Sequence, residues 1–216
     1  LYQNGLFRTY DYPPLFNSAN LSIRSFVNKG QEKVIGSRDG LFYINEATGV
    51  VKSFVKPVLT SDLILTICFY QGEYYIGTYG GGMMVLNPET LSLKYFAQGD
   101  TELFQKGHIF CVKPDAKGNL WIGTSQGLFS YNGQTKQIKS FTSANSQLPE
   151  GNVYEVSFDS TGKGWIATET GMCIYDPASQ SLRSNVFPEG FVNKDKVRTI
   201  YEDAEHNLYF IREKGS

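Results

Sequence analysis

Trp121-Ile122-Gly123-Thr124-Ser125-Gln126-Gly127-Leu128-Phe129 is the clearest copy of a short pattern that recurs along this chain of 216 residues. Further copies begin at Val34, Tyr75 and Trp165, and a degenerate one begins at Tyr209. The residue after the leading aromatic or valine stands at positions 35, 76, 122, 166 and 210, so the successive steps are 41, 46, 44 and 44 residues. A repeat near this length that is made of β-type residues is typical of the blades of a β-propeller.

The sequence within one repeat predicts four short strands. In the third copy, apolar or β-branched runs separated by Gly, Asn and Asp residues stand at 109–112, 120–124, 128–131 and 137–141. Asn132 opens the last turn of this copy, and Asn87 and Asp176, each followed by proline, open the same turn in two others. Asn or Asp followed by Pro favours a type I turn. Each repeat is therefore predicted to form a four-stranded antiparallel meander.

Small residues recur at one position of the second strand, where the four well-formed copies have Gly36, Gly77, Gly123 and Ala167. Glycine inside a strand usually marks the close approach of another part of the chain. The blades of a propeller stack face to face and crowd near the axis. We therefore interpret these residues as packing positions between blades.

The whole chain, residues 1–216, is predicted to be one all-β propeller unit or a fragment of one. About five blade repeats are present; the chain begins with a third strand at residues 5–8 and stops after a second strand. The two ends could combine into one shared blade, which would close a five-bladed ring without leaving a bare sheet edge. A fragment of a larger ring, such as a seven-bladed propeller, would give the same pattern.

Composition and charge exclude several functional classes. The net charge is −1 with acidic and basic residues well mixed, which argues against a nucleic-acid footprint or a polybasic membrane patch. No apolar run approaches the roughly 18 residues of a membrane span, and almost no helix is predicted. Cys68, Cys111 and Cys173 lie in predicted strands without CxxC spacing, so we expect buried, unpaired thiols and neither a metal site nor a cofactor.

The unit Trp-Ile-Gly-Thr-x-x-Gly-Leu-x-x-Tyr at residues 121–131, followed by the turn at Asn132, resembles the two-component regulator propeller repeat. Residues 148–159 also resemble the usual segment that leads into that repeat. The resemblance is weaker where Ala167 replaces the glycine and where Ile211-Arg212 replaces Gly-Thr.

The resemblance implies part of the extracytoplasmic sensor region of a hybrid two-component system of the Bacteroidetes type. It implies a location on the periplasmic side of the inner membrane, an oligosaccharide as stimulus and no enzymatic activity in this chain. The histidine kinase and the membrane helix would lie outside this chain. The resemblance also allows a homodimer through the sensor region. The alternatives are a scaffold propeller that binds a polypeptide and, less favoured, a glycan-cleaving propeller enzyme.

The enzyme alternative requires two or three carboxylates that point into the axial funnel from different blades. The predicted first strands contain mostly apolar and neutral residues, and their acidic residues are Glu155 and Glu202. Asp115, Asp159 and Asp203 recur at one repeat position just before a turn, which favours turn capping over a single asymmetric site. The sequence predicts no catalytic residue.

Candidate ligand-binding residues lie in two sets of loops that propellers place on one face. The loops between second and third strands supply Arg38, Asp39, Tyr79, Gln126, Glu169 and Lys214, and the positions that lead into first strands supply His108, Asn152 and Lys196. Tyr79 could stack on a sugar ring, whereas Arg38, Gln126 and Asn152 could bond to hydroxyls or to an acidic group. These loops vary between repeats while the scaffold is constant, which is the pattern expected of a binding face.

Overall fold

Antiparallel sheets whose strands follow chain order make up the fold, as the computed structural model describes it for residues 2–3, 6–7, 22–96, 101–184 and 195–213. Four of the sheets have four strands each, and we call them blades 1 to 4. Two further sheets have two strands each, one near each end of the chain. The prediction of an all-β fold with repeated four-stranded antiparallel blades is therefore confirmed.

The first two-stranded sheet contains β1 (Tyr2–Gln3) and β2 (Leu6–Phe7). Blade 1 contains β3 (Ile23–Lys29), β4 (Glu32–Ser37), β5 (Leu41–Asn45) and β6 (Val50–Phe54). Blade 2 contains β7 (Ile64–Tyr70), β8 (Glu73–Thr78), β9 (Met83–Leu86) and β10 (Leu93–Tyr95). Helix α1 (Thr101–Lys106) follows.

Blade 3 contains β11 (Ile109–Pro114), β12 (Asn119–Thr124), β13 (Gly127–Asn132) and β14 (Ile138–Phe141). Blade 4 contains β15 (Val153–Phe158), β16 (Gly164–Thr168), β17 (Gly171–Asp176) and β18 (Ser181–Arg183). The last two-stranded sheet, called blade 5, contains β19 (Lys196–Glu202) and β20 (Leu208–Glu213). The predicted second-strand positions 35, 76, 122, 166 and 210 fall inside β4, β8, β12, β16 and β20.

The two ends of the chain do not share a sheet in the described structure. Strand β2 pairs with β1, and β19 pairs with β20, so the shared blade that the sequence allowed is not formed by these strands. Of the predicted first segment, residues 5 and 8 lie outside the described residues, while residues 6 and 7 form β2. The number of blades in an intact ring stays a prediction.

The turn between second and third strands explains the Gly-Thr-x-x-Gly part of the repeat. In blades 1 to 4, a buried hydroxyl at the end of the second strand donates a hydrogen bond of 2.8 to 3.1 Å to a glycine carbonyl at the start of the third, from Ser37, Thr78, Thr124 and Thr168. The acceptor glycines all have positive φ, and Gly127, for example, has a φ of 124°. Only glycine adopts such a φ without strain, so hydroxyl and glycine are both required to keep this turn tight.

The small residue of each second strand lies against the first strand of the next blade. A Cβ added to Gly36 would meet Ile64 Cγ2 at 2.5 Å, and one added to Gly77 would meet Ile109 Cγ2 at 2.7 Å. These isoleucines open β7 and β11. The prediction that blades approach closely at these glycines is confirmed.

The core lies between adjacent blades rather than inside one sheet. Between blades 2 and 3, Phe96 makes edge-to-face contacts with Tyr75, Phe104 and Tyr131, at centroid distances of 5.0 to 6.1 Å. Such contacts stabilise aromatic pairs beyond the area they bury. First strands β3, β7, β11, β15 and β19 contact one another in that order, which makes them the innermost strands.

Helix α1 was not predicted, since no helical period is present at these residues. Its single apolar pair, Leu103 and Phe104, is buried, and Phe104 contacts Phe129 of blade 3 at 5.4 Å. The helix is too short for a periodic pattern, because it has only six residues. Burial of two side chains holds it on the loop that leads into blade 3.

Candidate functional site

The two predicted sets of loops do meet on one face. In each of blades 1 to 4, a backbone N–H in the loop between second and third strands donates to the carbonyl of the residue just before the first strand, at 2.9 to 3.2 Å. The donor and acceptor pairs are Arg38 and Ser22, Tyr79 and Leu63, Ser125 and His108, and Glu169 and Asn152. This repeated bond fixes every such loop beside the start of an inner strand.

Tyr79 and His108 form a stacked pair across blades 2 and 3. Their ring centroids are 4.0 Å apart with an interplanar angle of 23°. Tyr79 is 50% exposed, so one side of the pair is open to solvent. His108 also lies 6.2 Å from Phe110, the second residue of β11. Two of the predicted site residues thus form one aromatic platform.

Asn152 and Glu169 form a second cluster, on blade 4. The Asn152 side-chain amide donates to Glu169 Oε2 at 2.9 Å and also to the Tyr154 hydroxyl at 3.1 Å. The Asn152 backbone N–H donates to the same carboxylate at 3.3 Å. The carboxylate therefore orients the amide, and the amide orients the tyrosine.

Lys196 belongs to the same region from the side of blade 5. Its Nζ lies 3.2 Å from Glu213 Oε2 and 5.5 Å above the Tyr154 ring. Arg198 Nε lies 3.1 Å from Glu213 Oε1, and its guanidinium lies 4.3 Å above the same ring. Hydrogen bonds from Arg198 and Lys196 lower the pKa of the Glu213 carboxyl. Two cations therefore share one carboxylate beside an aromatic ring.

Arg38, Asp39 and Gln126 are not brought into these clusters by any contact in the described part of the chain. The Asp39 backbone N–H donates to Ser37 Oγ at 2.9 Å, and the Gln126 backbone N–H donates to Thr124 Oγ1 at 3.0 Å. Those bonds close the turns and leave the side chains in solvent. Lys214 lies outside the described residues.

A bulge in every first strand creates the most distinctive feature of this face. The pairing of first and second strands skips one residue near the start of β3, β7, β11, β15 and β19. The skipped residues are Arg24, Leu65, Phe110, Tyr154 and Arg198. A bulge redirects a side chain away from the regular alternation of a strand.

All five bulge residues line a single cavity of about 470 Å³, together with Ser22 and Ile23. Because the first strands are innermost, this is the central cavity of the described blades. Within it, Phe110 contacts Tyr154 edge to face at 5.1 Å. The aromatic platform of Tyr79 and His108 thus continues through Phe110 and Tyr154 to Arg198.

These five residues were not predicted as site residues from the sequence, although a signal is present there. In each repeat the bulge residue follows an Ile or Val. From blade 2 onward, this preceding Ile or Val is almost fully buried. The next position varies between Arg, Leu, Phe and Tyr. A variable residue beside a constant buried one is the expected sign of a site built on a repeat.

The recurring aspartates cap turns, as predicted. Asp115 accepts bonds from the backbone N–H groups of Lys117 and Asn119 at 2.9 and 2.8 Å, and from Trp121 Nε1 at 2.9 Å. In the fourth copy, Asp159 accepts from Trp165 Nε1 at 2.8 Å. These bonds follow the repeat and serve the scaffold.

The two exceptional glutamates also have structural partners. Glu155 lies 3.5 Å from Lys113 Nζ, and burial outweighs that ion pair and raises the pKa of the carboxyl. Glu202 Oε1 accepts a hydrogen bond from His206 Nδ1 at 2.8 Å, at the far end of β19 from the bulge. Neither glutamate is among the described residues that line the central cavity, and none of those lining residues is acidic.

The cysteines do not form a reactive site. All three are free and buried, and burial raises the pKa of Cys68 to about 11 and that of Cys173 to about 12. No group of three or more His, Cys, Asp or Glu side chains within the described ranges could hold a metal ion. Among the same residues, no helix is long and apolar enough to cross a membrane.

The repeated blades and the loop face define the class of protein, a β-propeller with a central cavity. A family model described as two component regulator propeller matches residues 104–126, which cover the second half of α1 and all of β11 and β12. The resemblance predicted from the sequence is therefore confirmed, and the chain carries a repeat of that family. No curated protein matches the chain.

Solved structures share the fold. The chain described as the extracellular domain of hybrid two component system BT3049 from B. thetaiotaomicron has a TM-score of 0.72 at 24% identity, covering 88% of this chain and 26% of that one. The corresponding domain of BT4673 from the same organism has a TM-score of 0.71 at 20% identity, covering 90% and 26%. This chain therefore spans about a quarter of the length of those two.

An enzyme has the same fold at lower similarity. Virginiamycin B lyase from Staphylococcus aureus has a TM-score of 0.63 at 11% identity, covering 88% of this chain and 63% of that one. At these identities the likeness establishes the fold alone. Function therefore has to be argued from the site.

Proposed function

We propose that this chain is part of the extracellular sensing region of a two-component system, and that it binds an oligosaccharide at the central cavity without cleaving it. The repeat match at residues 104–126 and the fold shared with two extracellular sensor domains support the first part. The second part rests on the residues that line the cavity.

One observation carries the proposal: the five bulge residues occupy equivalent places and line one cavity, yet they are of four different types, Arg, Leu, Phe and Tyr. A position that only supported the fold would carry similar residues in every repeat, as the packing glycines do. An asymmetric ligand requires different side chains on different sides of its site. The bulge residues break the repeat in this way at the place where the five first strands converge.

The chemistry of the cavity suits a sugar. Phe110 offers a half-buried apolar ring surface on which the C–H face of a pyranose can stack, supported from behind by the buried Tyr154 ring, and Tyr79 offers a more exposed surface at the edge of the site. Asn152, held by Glu169, and the Tyr154 hydroxyl supply polar groups for sugar hydroxyls. Small sites of this kind combine apolar walls with a few placed polar groups.

Cleavage is not part of the proposal, because glycoside hydrolysis uses a pair of carboxylates that flank the bond. The described residues that line the central cavity include no Asp or Glu. The cavity would hold and orient a sugar but would supply no general acid.

In the sensor we propose, the chain lies on the periplasmic side of the inner membrane, and the histidine kinase belongs to another part of the polypeptide. Binding would favour one arrangement of two sensor chains over another, in the manner of a population shift. The free energy for that shift can only come from the difference in ligand affinity between the two arrangements.

A thermal-unfolding panel tests the proposal. The purified chain is heated with each member of a set of neutral and acidic oligosaccharides, and every mixture is also checked for cleavage products. A ligand present at about 100 times its Kd adds about 2.7 kcal/mol to the stability. For a domain of this size that corresponds to a rise in Tm of roughly 2–4 °C per kcal/mol.

A selective rise in Tm without product supports a sensor. Product formation would contradict the non-enzymatic part of the proposal, and a panel without any rise would contradict sugar binding by this chain. The second result would favour the alternative of a scaffold propeller that binds a polypeptide.

A further inference from the structure

The central cavity is unequal in charge. Arg24 of blade 1 and Arg198 of blade 5 line it, whereas Leu65, Phe110 and Tyr154 of the three blades between them are uncharged. None of the described residues that line the cavity carries a negative charge to balance the two arginines. The excess of positive charge therefore bears on whether the proposed sugar ligand is neutral or acidic.

The two arginines differ in what they contact. The Arg198 guanidinium lies over the Tyr154 ring, and its Nε bonds to Glu213, a carboxylate that also pairs with Lys196. Arg24 makes no hydrogen bond or ion pair with any residue in the described part of the chain. The Arg24 side chain is exposed at the cavity and no described residue competes for its donors, while Arg198 adds positive charge to the same lining.

The local balance of charge around the cavity is positive. Lys196 and Arg198 share one carboxylate, Glu213, so with Arg24 three positive charges stand against that one negative charge. The carboxylate of Glu169 lies in the adjoining loop, where Asn152 binds it. A concave site with an excess of one sign concentrates ions of the other sign.

We propose that the ligand of this cavity is an acidic sugar, one whose carboxylate or sulfate is bound by Arg24 while its ring stacks on Phe110. This inference rests on the proposed function and specifies the ligand class. A guanidinium presents two parallel N–H groups that match the two oxygens of a carboxylate or sulfate. A neutral sugar would offer the Arg24 guanidinium no anionic group, which is the partner that a guanidinium binds best.

The test compares sugars that differ only in charge. Trigalacturonic acid is titrated into the chain beside its fully methyl-esterified form, and a sulfated chondroitin disaccharide beside its desulfated form, with isothermal titration calorimetry as readout. The first pair reports on a carboxylate and the second on a sulfate. In at least one pair, the member with the additional anionic group should bind more tightly than its partner by roughly tenfold or more, as expected for a hydrogen bond to a charged group.

Variants of Arg24 assign the effect to that residue. Arg24→Gln should weaken binding of the preferred acidic sugar by roughly tenfold to a hundredfold and leave the partner sugar nearly unchanged. Arg24→Lys keeps the charge without the planar fork, so it should retain part of the preference. The control is Arg183→Gln, which removes the same charge from an exposed arginine paired with Asp176 at 3.6 Å on blade 4.

The outcomes of these titrations distinguish a failure of the acidic-sugar inference from a failure of the proposed sugar sensor. Equal binding of both members of each pair, or an unchanged preference in Arg24→Gln, would overturn this inference while the proposed sugar sensor stands. An equal loss of affinity in Arg24→Gln and Arg183→Gln would show general charge attraction and would also overturn it. Failure of every sugar to bind would contradict the proposed function itself.

Discussion

Gly123→Ala should destabilise the chain, because the added Cβ has no room between two blades. It would lie 2.5 Å from Cys111 Sγ, 2.7 Å from the Val153 carbonyl oxygen and 3.0 Å from Val153 Cγ1. Cys111 pairs with Gly123 across blade 3, and Val153 opens the first strand of blade 4. Relief of one contact would push the methyl group towards the other, so the two blades have to separate.

The size of the effect follows from two opposing contributions. Overpacking of a tight core costs about 1–3 kcal/mol, and we expect the upper end here because one of the contacts is a backbone carbonyl. Replacement of glycine by alanine also restricts the unfolded chain, which returns about 0.4–1 kcal/mol. The net loss should be about 2 kcal/mol, or a fall in Tm of about 4–8 °C for a domain of this size.

Urea denaturation followed by tryptophan fluorescence measures this loss, with two other variants as references. Gly72→Ala adds a methyl group with nothing within 4 Å at a φ of 85°, so it should cost about 1 kcal/mol through the backbone alone. Ala167→Gly, at the equivalent place in blade 4, should also cost about 1 kcal/mol, because it removes a buried methyl group and loosens a strand. A Gly123→Ala protein as stable as the parent would refute the close approach of the blades.

Three further predictions concern the scaffold. Asp115→Ala leaves the buried Trp121 indole N–H without its acceptor and should cost about 2–3 kcal/mol in the free energy of urea unfolding; no measurable loss would contradict the capping role. Because the pKa of Glu155 is raised in the folded state, the free energy of unfolding should fall as pH rises from the ordinary glutamate range through that raised pKa. Plots of Tm against pH should show this fall in the parent and not in Glu155→Gln. Identical plots for the two proteins would contradict the raised pKa. The buried thiols of Cys111 and Cys173 have raised pKa values and should not react with a colorimetric disulfide reagent until urea unfolds the chain; rapid reaction of the native protein would contradict their burial.

Most of the blade architecture could be predicted because it depends on residues close together in the chain. The hydroxyl of Thr124 and the positive φ of Gly127 act within one turn, and the repeat shows the same pair in other copies. The packing role of Gly123 was also predictable, since a glycine that recurs inside a strand signals a neighbour. Strand ends differ from the predictions by one or two residues.

The loop face was predicted in part. Repeat symmetry placed Tyr79 with His108, and Asn152 with Glu169, on one face, and the structure brings each pair into contact. Contacts between side chains of different blades depend on the angle between the sheets, which no local pattern encodes. For that reason Arg38 was assigned to the same group of residues although no described contact joins it to them.

The central cavity escaped prediction because its residues are defined by a register shift. Phe110 and Tyr154 look like ordinary members of β11 and β15, and alternation alone would turn each towards a neighbouring blade. The bulge, visible only in the pairing of two strands, turns them towards the axis instead.

The most direct test of the account asks which of two cavities binds sugar. A groove of about 480 Å³ between blades 3 and 4, lined in part by Gln180, matches the central cavity of about 470 Å³ in size. The measurement is the rise in Tm that the oligosaccharide panel produces in Phe110→Ala and in Gln180→Ala. If the sugar binds in the central cavity, the rise is lost in Phe110→Ala and kept in Gln180→Ala. A rise that survives in Phe110→Ala and disappears in Gln180→Ala would show that the sugar binds in the groove between blades 3 and 4 instead.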